Sequence, residues 1–437
     1  EGPPGWRAAM LFSAGAAHNL VVTTRYELVA WGDNGEGQLG DGTTEDRLRP
    51  ELILSGGVQA VAAGRHHSLA LTEDGELMAW GCNEDGLLGV GVARRQLTPG
   101  RLIAEDGGRL RGIRSMAAGW KHSLALTEQG EVLSWGANDY GQLGSGSSEP
   151  RRTPGRVQLR GRARAVAAGW YHSVALLESG EVWTWGFNTP SESSFRPLAS
   201  PTLVIPSGIE SVAAGGCHTV ALSQAGDVLV WGGNDHGQLG DGTRATRIAP
   251  AVAAKDVARV AAGSYHCVAV TRTDELLLMW GFGAPNGGLV PEVVEMSPEP
   301  AYAVAAGGLH SLAVTASGEL FAWGGNASGQ IGDGEREDVA APRSILNHGT
   351  VPVITQAERV EAVLAARPDT VENVEAPTSP KRVARSADGG GAAASAAGPP
   401  AGSEIPHVLL RMTGRPDRSQ WQVTQPAAPP PPPARAT

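Results

Sequence analysis

Seven histidines stand at regular intervals, His18, His67, His122, His172, His218, His266 and His310. With three cysteines, Cys82, Cys217 and Cys267, they are the side chains of this 437-residue chain best suited to acid–base, nucleophilic or metal chemistry. Catalysis needs one such group set apart from its copies and served by a base, an acid or a metal. No Ser, His and Asp trio stands apart in this way, and no Gly-x-x-x-x-Gly-Lys-Ser/Thr phosphate loop occurs. The aspartates of the Gly-Asp-Gly turns at 40–42, 240–242 and 332–334 offer one carboxylate each, short of the six to eight oxygens that Ca²⁺ takes. The cysteines are an odd set without Cys-x-x-Cys spacing, which points to a reducing compartment rather than to zinc or a disulfide framework. The expectation is therefore no enzyme, no catalytic residue, no metal and no cofactor.

The histidines belong to a repeat. A small residue, Ala, Gly, two variable positions, His, a short alternating run, a turn, a second run and Trp-Gly recur seven times, the tryptophans being Trp31, Trp80, Trp135, Trp185, Trp231, Trp280 and Trp323. His-to-Trp spacing is 13 in six copies and 14 in the sixth, where "TDELLLMW" carries one more residue. Runs such as "HSLALT" and "EVLSWG" alternate at period two around turns that place Gly75, Gly130, Gly180, Gly226 and Gly318 where φ > 0 is needed, so each is a hairpin. The Asn following each Trp-Gly (Asn34, Asn83, Asn138, Asn188, Asn234, Asn326) suits another tight turn through the left-handed region. "GQLGDG", "GQLGSG" and "GQIGDG" make a third reversal, and a Pro-containing segment a fourth short strand. A unit of this size cannot bury both faces alone, so the copies stack radially into an all-β, seven-bladed β-propeller of about four-stranded blades, over residues 1–345. The Ala-Ala-Gly triplets fit where blades crowd the axis, and the tryptophans fill the gaps between blades. Seven histidines at one position read as latches from a buried ring nitrogen to turn backbone, and Trp183 reads as core. "AMLFSAGAAHNLVV" belongs to the first copy rather than to a signal peptide. That first blade is expected to need an upstream or C-terminal strand to close.

The pattern "VAAGxxHSLALTxxGxVxxWGxNxxGQLGxG" resembles the regulator-of-chromosome-condensation repeat family, over roughly residues 9–345. Copies four and six depart from it, with "GFNTPSESSFRP" and "GFGAPNGGLV" in place of the Gly-Gln-Leu-Gly element, which leaves their outer edges open to question. The resemblance implies a seven-bladed propeller. It also implies either a protein-interaction scaffold or guanine-nucleotide exchange on a small GTPase, in which a loop wedges against the nucleotide site. The longest link between intact copies, 92–115, is the candidate protruding loop, with Glu105 and Asp106 at its tip. "GWKHS" and "GWYHS" are similar to the "GWRHT" loops of the plant ultraviolet-B photoreceptors of that family, which implies a third role, a light-sensitive homodimer using Trp120 and Trp170.

Subtracting the repeat leaves the two variable positions before each His: Ala16-Ala17, Arg65-His66, Trp120-Lys121, Trp170-Tyr171, Gly216-Cys217, Ser264-Tyr265 and Gly308-Leu309. By equivalence all seven pairs share one rim. Arg65, His66, Trp120, Lys121, Trp170 and Tyr171 cluster on consecutive blades, with Tyr265 farther round, and aromatic side chains with Arg on surface loops are what a binding hot spot requires. The expected role is a non-enzymatic scaffold that binds a protein partner through this rim.

Charge agrees. The chain is at −10, and since residues 345–437 carry nine basic and eight acidic groups, the repeat region holds −11, a poor surface for a nucleic-acid backbone. No run of 18 apolar residues exists, so no membrane span is expected and an intracellular, cytoplasmic or nuclear, location is inferred. Residues 346–437 read as a low-complexity, disordered tail. It holds one short helix near 355–367, capped by Thr355 and Glu358 and stopped by Pro368, an apolar island "EIPHVLLRM", a basic "TSPKRVAR", and a terminal proline run suited to a polyproline-recognising domain.

Overall fold

The computed structural model describes residues 11–89, 93–103, 108–188, 197–296 and 299–346. Twenty-eight strands form seven four-stranded antiparallel sheets, each made of four strands consecutive in sequence. Blade three is typical: Ile113–Ala118 innermost, then His122–Thr127, Val132–Gly136 and the outer Arg151–Val157. Blade one follows the same plan from its own residues, beginning with the short strand Phe12–Ala14, so among the described residues its four strands all come from its own repeat. Helix is confined to two single 3₁₀ turns among the described residues. The proposed tail helix, the apolar island and the proline run lie outside them, as do Glu105 and Asp106.

The hairpin turns behave as the sequence predicts, Gly75, Gly130, Gly180, Gly226 and Gly318 all having φ between 71° and 91°. Blades one and six lack that glycine and place Tyr26 (φ 60°) and Glu275 (φ 53°) in the same left-handed region, a local strain the sheet overrides. The asparagines differ from expectation. None of the six is in the left-handed region; instead their amides staple the loop that follows. Asn34 Nδ2 donates to the carbonyls of Thr43 (3.2 Å) and Glu45 (3.1 Å) while its Oδ1 accepts from Leu39 N–H (2.9 Å), and Asn138, Asn234 and Asn326 repeat the pattern. A side chain with both a donor and an acceptor is what satisfies a buried loop backbone.

Closure of the disc rests on two rings of hydrogen bonds. In the inner ring, the N–H after each Ala-Ala-Gly donates to the carbonyl of the equivalent segment of the next blade. The donors run Ala16, Arg65, Trp120, Trp170, Gly216, Ser264 and Gly308, and the acceptors Gly64, Gly119, Gly169, Gly216, Gly263, Gly307 and finally Gly15. Crowding explains the glycine: a Cβ on Gly119 would lie 2.5 Å from Gly169 O and 2.6 Å from His122 Cε1.

The second ring corrects the sequence reading of the histidines. Their Nε2 atoms contact not turn backbone but a side chain on the next blade: His18 with Ser68 (2.9 Å), His67 with Ser123 (3.0 Å), His122 with Ser173 (2.8 Å), His172 with Thr219 (3.1 Å), His218 with Cys267 (3.2 Å), His266 with Ser311 (2.8 Å), and His310 with Asn19 (2.7 Å). Asn19 Oδ1 can only accept, so His310 carries its proton on Nε2. Most of these partners pass the bond on to the carbonyl inside the previous blade's Gly-Gln-Leu-Gly turn, as Ser68 does to Gln38 O (2.7 Å) and Ser173 to Gln142 O (2.8 Å). The same carbonyls accept the indole N–H of the repeat tryptophans, Trp80 to Gln38 and Trp185 to Gln142, both at 2.8 Å. The tryptophans thus fill the gaps between blades and also tie them together. Trp183 is buried, as expected of a core residue.

The two aberrant copies resolve differently. Blade four keeps an eight-residue outer strand, Leu198–Ile205, and Asn188, in the amide orientation that satisfies both its ends, offers its side-chain oxygen to Trp231 Nε1 (3.3 Å) and Thr219 Oγ1 (3.0 Å) in place of the missing carbonyl. Blade six has an outer strand of three residues, Glu292–Val294, and among the described residues no carbonyl accepts from the buried Trp323 Nε1.

Candidate functional site

The loops between first and second strands, and those after each Trp-Gly, emerge on one face of the disc. The structure brings the predicted rim residues together there. The Arg65 guanidinium lies 3.8 Å above the Trp120 ring, Trp120 meets Trp170 edge-on with centroids 4.4 Å apart, and Trp170 meets Tyr265 edge-on at 5.2 Å. Trp120 also stacks on Tyr171 at 5.6 Å. These contacts cross blades two to six because Arg65, Trp120 and Trp170 hold the first, and Tyr171 and Tyr265 the second, of the two positions before the histidine of their own repeats. All five side chains are half-buried. Such contacts add to the hydrophobic gain of a partner covering them.

Repeat subtraction at the two positions before His misses four members of the cluster. Tyr140 packs on Tyr171 (4.6 Å) and Phe187 (5.5 Å), and His236 on Tyr265 (4.7 Å) and Phe282 (5.7 Å). Tyr140 and His236 precede the glycine of Gly-Gln-Leu-Gly, and Phe187 and Phe282 follow Trp-Gly. The same subtraction at those two positions finds them.

His66 and Lys121 lie at the margin. His66 approaches Asp33 at 4.0 Å, and burial, then the neighbouring Arg65, pushes its pKa down to about 4, so it is neutral at pH 7. Lys121 pairs loosely with Asp85 at 3.5 Å. Burial raises the Tyr171 phenol and pushes Tyr265 up to about 12, keeping both neutral. Among the described residues no group of three or more His, Cys, Asp or Glu is disposed to hold a metal, and the three cysteines are buried and unpaired. No described helix is long and apolar enough to cross a membrane.

Comparison with known proteins matches these features. The signature of the RCC1-like domain covers residues 7–194, and the regulator of chromosome condensation (RCC1) repeat covers 209–238, 225–270, 302–330 and 317–357. The ultraviolet-B receptor UVR8 of Arabidopsis thaliana is 33% identical over 160 residues, 36% of this chain and 35% of that protein. The E3 ubiquitin-protein ligase HERC2 of Homo sapiens is 35% identical over 148 residues, 33% of this chain and 3% of that protein. The aligned parts thus span about a third of the receptor and a small fraction of the ligase. Human WBSCR16 superposes with a TM-score of 0.65 at 25% identity, over 74% of this chain and 94% of its own. Yeast RCC1 (Prp20), solved bound to Kap60, superposes at 0.66 with 20% identity over 84% and 95%, which speaks for the fold alone. Seven blades with one repeated plan, latched blade to blade by His and Trp, and these sequence matches together mean that the chain belongs to the regulator of chromosome condensation (RCC1) repeat family.

Proposed function

We propose that this propeller is a non-enzymatic scaffold that captures a protein partner on the aromatic rim of blades two to six. The observation that carries the reading is the continuous chain from Arg65 through Trp120 and Trp170 to Tyr265, His236 and Phe282, which interrupts a repeat that is otherwise scaffold. Half-buried aromatics and Arg held by a rigid frame lose little freedom on binding and desolvate well, as hot spots do. Phe282, 39% exposed, gives the cluster an apolar outer edge. Affinity capture with the full chain and its Trp120→Ala/Trp170→Ala variant tests this. Loss of the partner with melting nearly unchanged supports the rim; capture at wild-type level refutes it.

Within this reading the partner is a small GTPase or another protein. The structure of Prp20p has been described together with that protein's binding to Gsp1p and histones, which keeps nucleotide exchange as the more specific form of the proposal. Accelerated release of a labelled guanine nucleotide from a GTPase panel supports it, and no acceleration removes it. The Trp120–Trp170 pair under Arg65, together with the ultraviolet-B receptor match, favours one further reading, a light-sensitive homodimer. An elution volume unchanged by ultraviolet-B irradiation excludes it.

A further inference from the structure

At the rim face the axis opens into a well of about 110 Å³. Its wall is built from the same three residues of all seven repeats, the last Ala and the Gly of Ala-Ala-Gly and the first variable residue. Equivalence fails at the third of these. Arg65, Trp120 and Trp170 stand on blades two to four, against Ala16, Gly216, Ser264 and Gly308 on the others, so large side chains wall one side of the mouth and small ones the other. Gly216 must stay small, since a Cβ there would lie 2.6 Å from Ser264 O and 2.9 Å from Trp170 Cε2. Arg65 is the one charged residue of this wall, and no carboxylate lines it.

Trp120 covers one face of the Arg65 guanidinium at 3.8 Å, and among the described residues its side-chain N–H groups meet no carbonyl or carboxylate. Asp33, the carboxylate whose charge reaches Arg65, forms no ion pair with it and is engaged by Gln38 Nε2 (2.7 Å) and the Gly35 N–H (3.2 Å). Burial pushes the Arg65 pKa down, the mark of a cation short of water and of counter-charge. A guanidinium stacked on one face still presents its edge, where paired N–H donors match a carboxylate in the plane. The surrounding aromatic wall lowers the local dielectric and strengthens such a pair. The well is too small for a helix or a strand and suits a side chain. A chain terminus suits it less, because termini are caught by free backbone N–H groups, and the seven at this level are spent on the carbonyls of neighbouring blades.

We propose that the partner captured on the rim inserts one aspartate or glutamate side chain into this well, where the edge of the Arg65 guanidinium binds its carboxylate and Trp120 and Trp170 cover the flanking residues. The inference rests on the rim reading and adds the partner's chemistry to it. A run of acids does not fit. Asp139 and Asp235, exposed beside the rim residues Tyr140 and His236 and in no ion pair among the described residues, repel further negative charge and favour Lys or Arg at a distance from the central acid.

The test is selection of a random displayed heptapeptide library on the immobilised full chain, discarding every clone that Trp120→Ala/Trp170→Ala also retains. The surviving peptides, made synthetically with amidated C-termini, are expected to share one Asp or Glu. Changing that residue to Asn or Gln weakens binding about tenfold or more on the unaltered chain and less than about twofold on Arg65→Gln, as a double-mutant cycle of a direct pair requires. Arg65→Lys keeps the charge without the fork and restores only part of the affinity, while melting is the same in all three proteins. Rim-dependent peptides that share no acid, or an acid whose loss costs the same on Arg65→Gln, overturn the proposal and leave the rim reading standing. Affinity that needs a free C-terminus, or self-association of the chain that the peptides compete away, overturns it in favour of a terminus or a second copy. Absence of any rim-dependent peptide overturns it too, and capture of a protein partner then judges the rim separately.

Discussion

The latch ring makes the protein sensitive to mild acid. Burial pushes the pKa of His18, His67, His122, His172, His218 and His310 down to about 3 and that of His266 to about 4, against 6.5 in an unfolded chain. A depressed folded pKa means that the unfolded state binds more protons. The stability these groups permit is therefore fully present above about pH 6.5 and is lost as pH falls. At pH 5 the unfolded histidines are almost wholly protonated and the folded ones are not, so each latch has lost about 2 kcal/mol relative to pH 7. Seven latches lose about 13 kcal/mol, comparable to the whole stability of an ordinary domain, and the local slope approaches 10 kcal/mol per pH unit. The result needs only that the folded pKa values stay at or below about 4. Burial raises the pKa of Asp33, which works the other way, but it is one group against seven. Urea midpoints followed by tryptophan fluorescence between pH 8 and pH 4.5 give the slope directly. Cooperative unfolding between about pH 5 and 6 with uptake of five to seven protons is expected. His122→Gln, which keeps a donor for Ser173 Oγ, should lower the slope by one proton, about 1.4 kcal/mol per unit. A native fluorescence signature at pH 4.5, or uptake of fewer than about three protons, refutes the reasoning.

Two further predictions follow from the blade seams. Gly119→Ala places a methyl against Gly169 O and the latched His122 ring, neither of which can yield, so a loss of about 3 kcal/mol or more is expected; Gly208→Ala, with open space around its Cβ and only its φ of 82° to offend, should cost about 1–2 kcal/mol in the same denaturant assay. Trp135→Phe breaks the indole bond to Leu87 O (2.8 Å), whereas the Trp323 indole has no acceptor to lose. Both create similar cavities, so Trp323→Phe should be the milder by about 1–3 kcal/mol, and equal losses would show that the seam between blades six and seven is satisfied after all.

What the sequence disclosed and what it withheld divide along a physical line. Strand order, blade number and the turn glycines were legible because period-two alternation and φ > 0 are local demands, and the repeat states them seven times. The role of the asparagines was misread because a left-handed turn and a side-chain staple favour the same residue type, and only the loop's geometry separates them. The partners of the histidines were hidden for a different reason: six of the bonds span about 50 residues, the one that closes the ring joins His310 to Asn19 across 291, and each ends on the Ser, Thr, Cys or Asn immediately after the next histidine round the ring. That residue alternates with buried aliphatics and passes for ordinary strand. Once the bond is known, the exceptions become informative. Cys267 and Asn19 are tolerated because each can accept from Nε2 and donate onward, to Gln238 O and Gln330 O. The rim cluster was legible by the opposite logic, as residues the repeat does not need, and Tyr140, Phe187, His236 and Phe282 lie outside the two positions before His, in the loops after Trp-Gly. In a propeller built from equivalent units, the positions where equivalence fails are those released from scaffold duty, and the candidate rim from Arg65 to Phe282 is a failure of that kind.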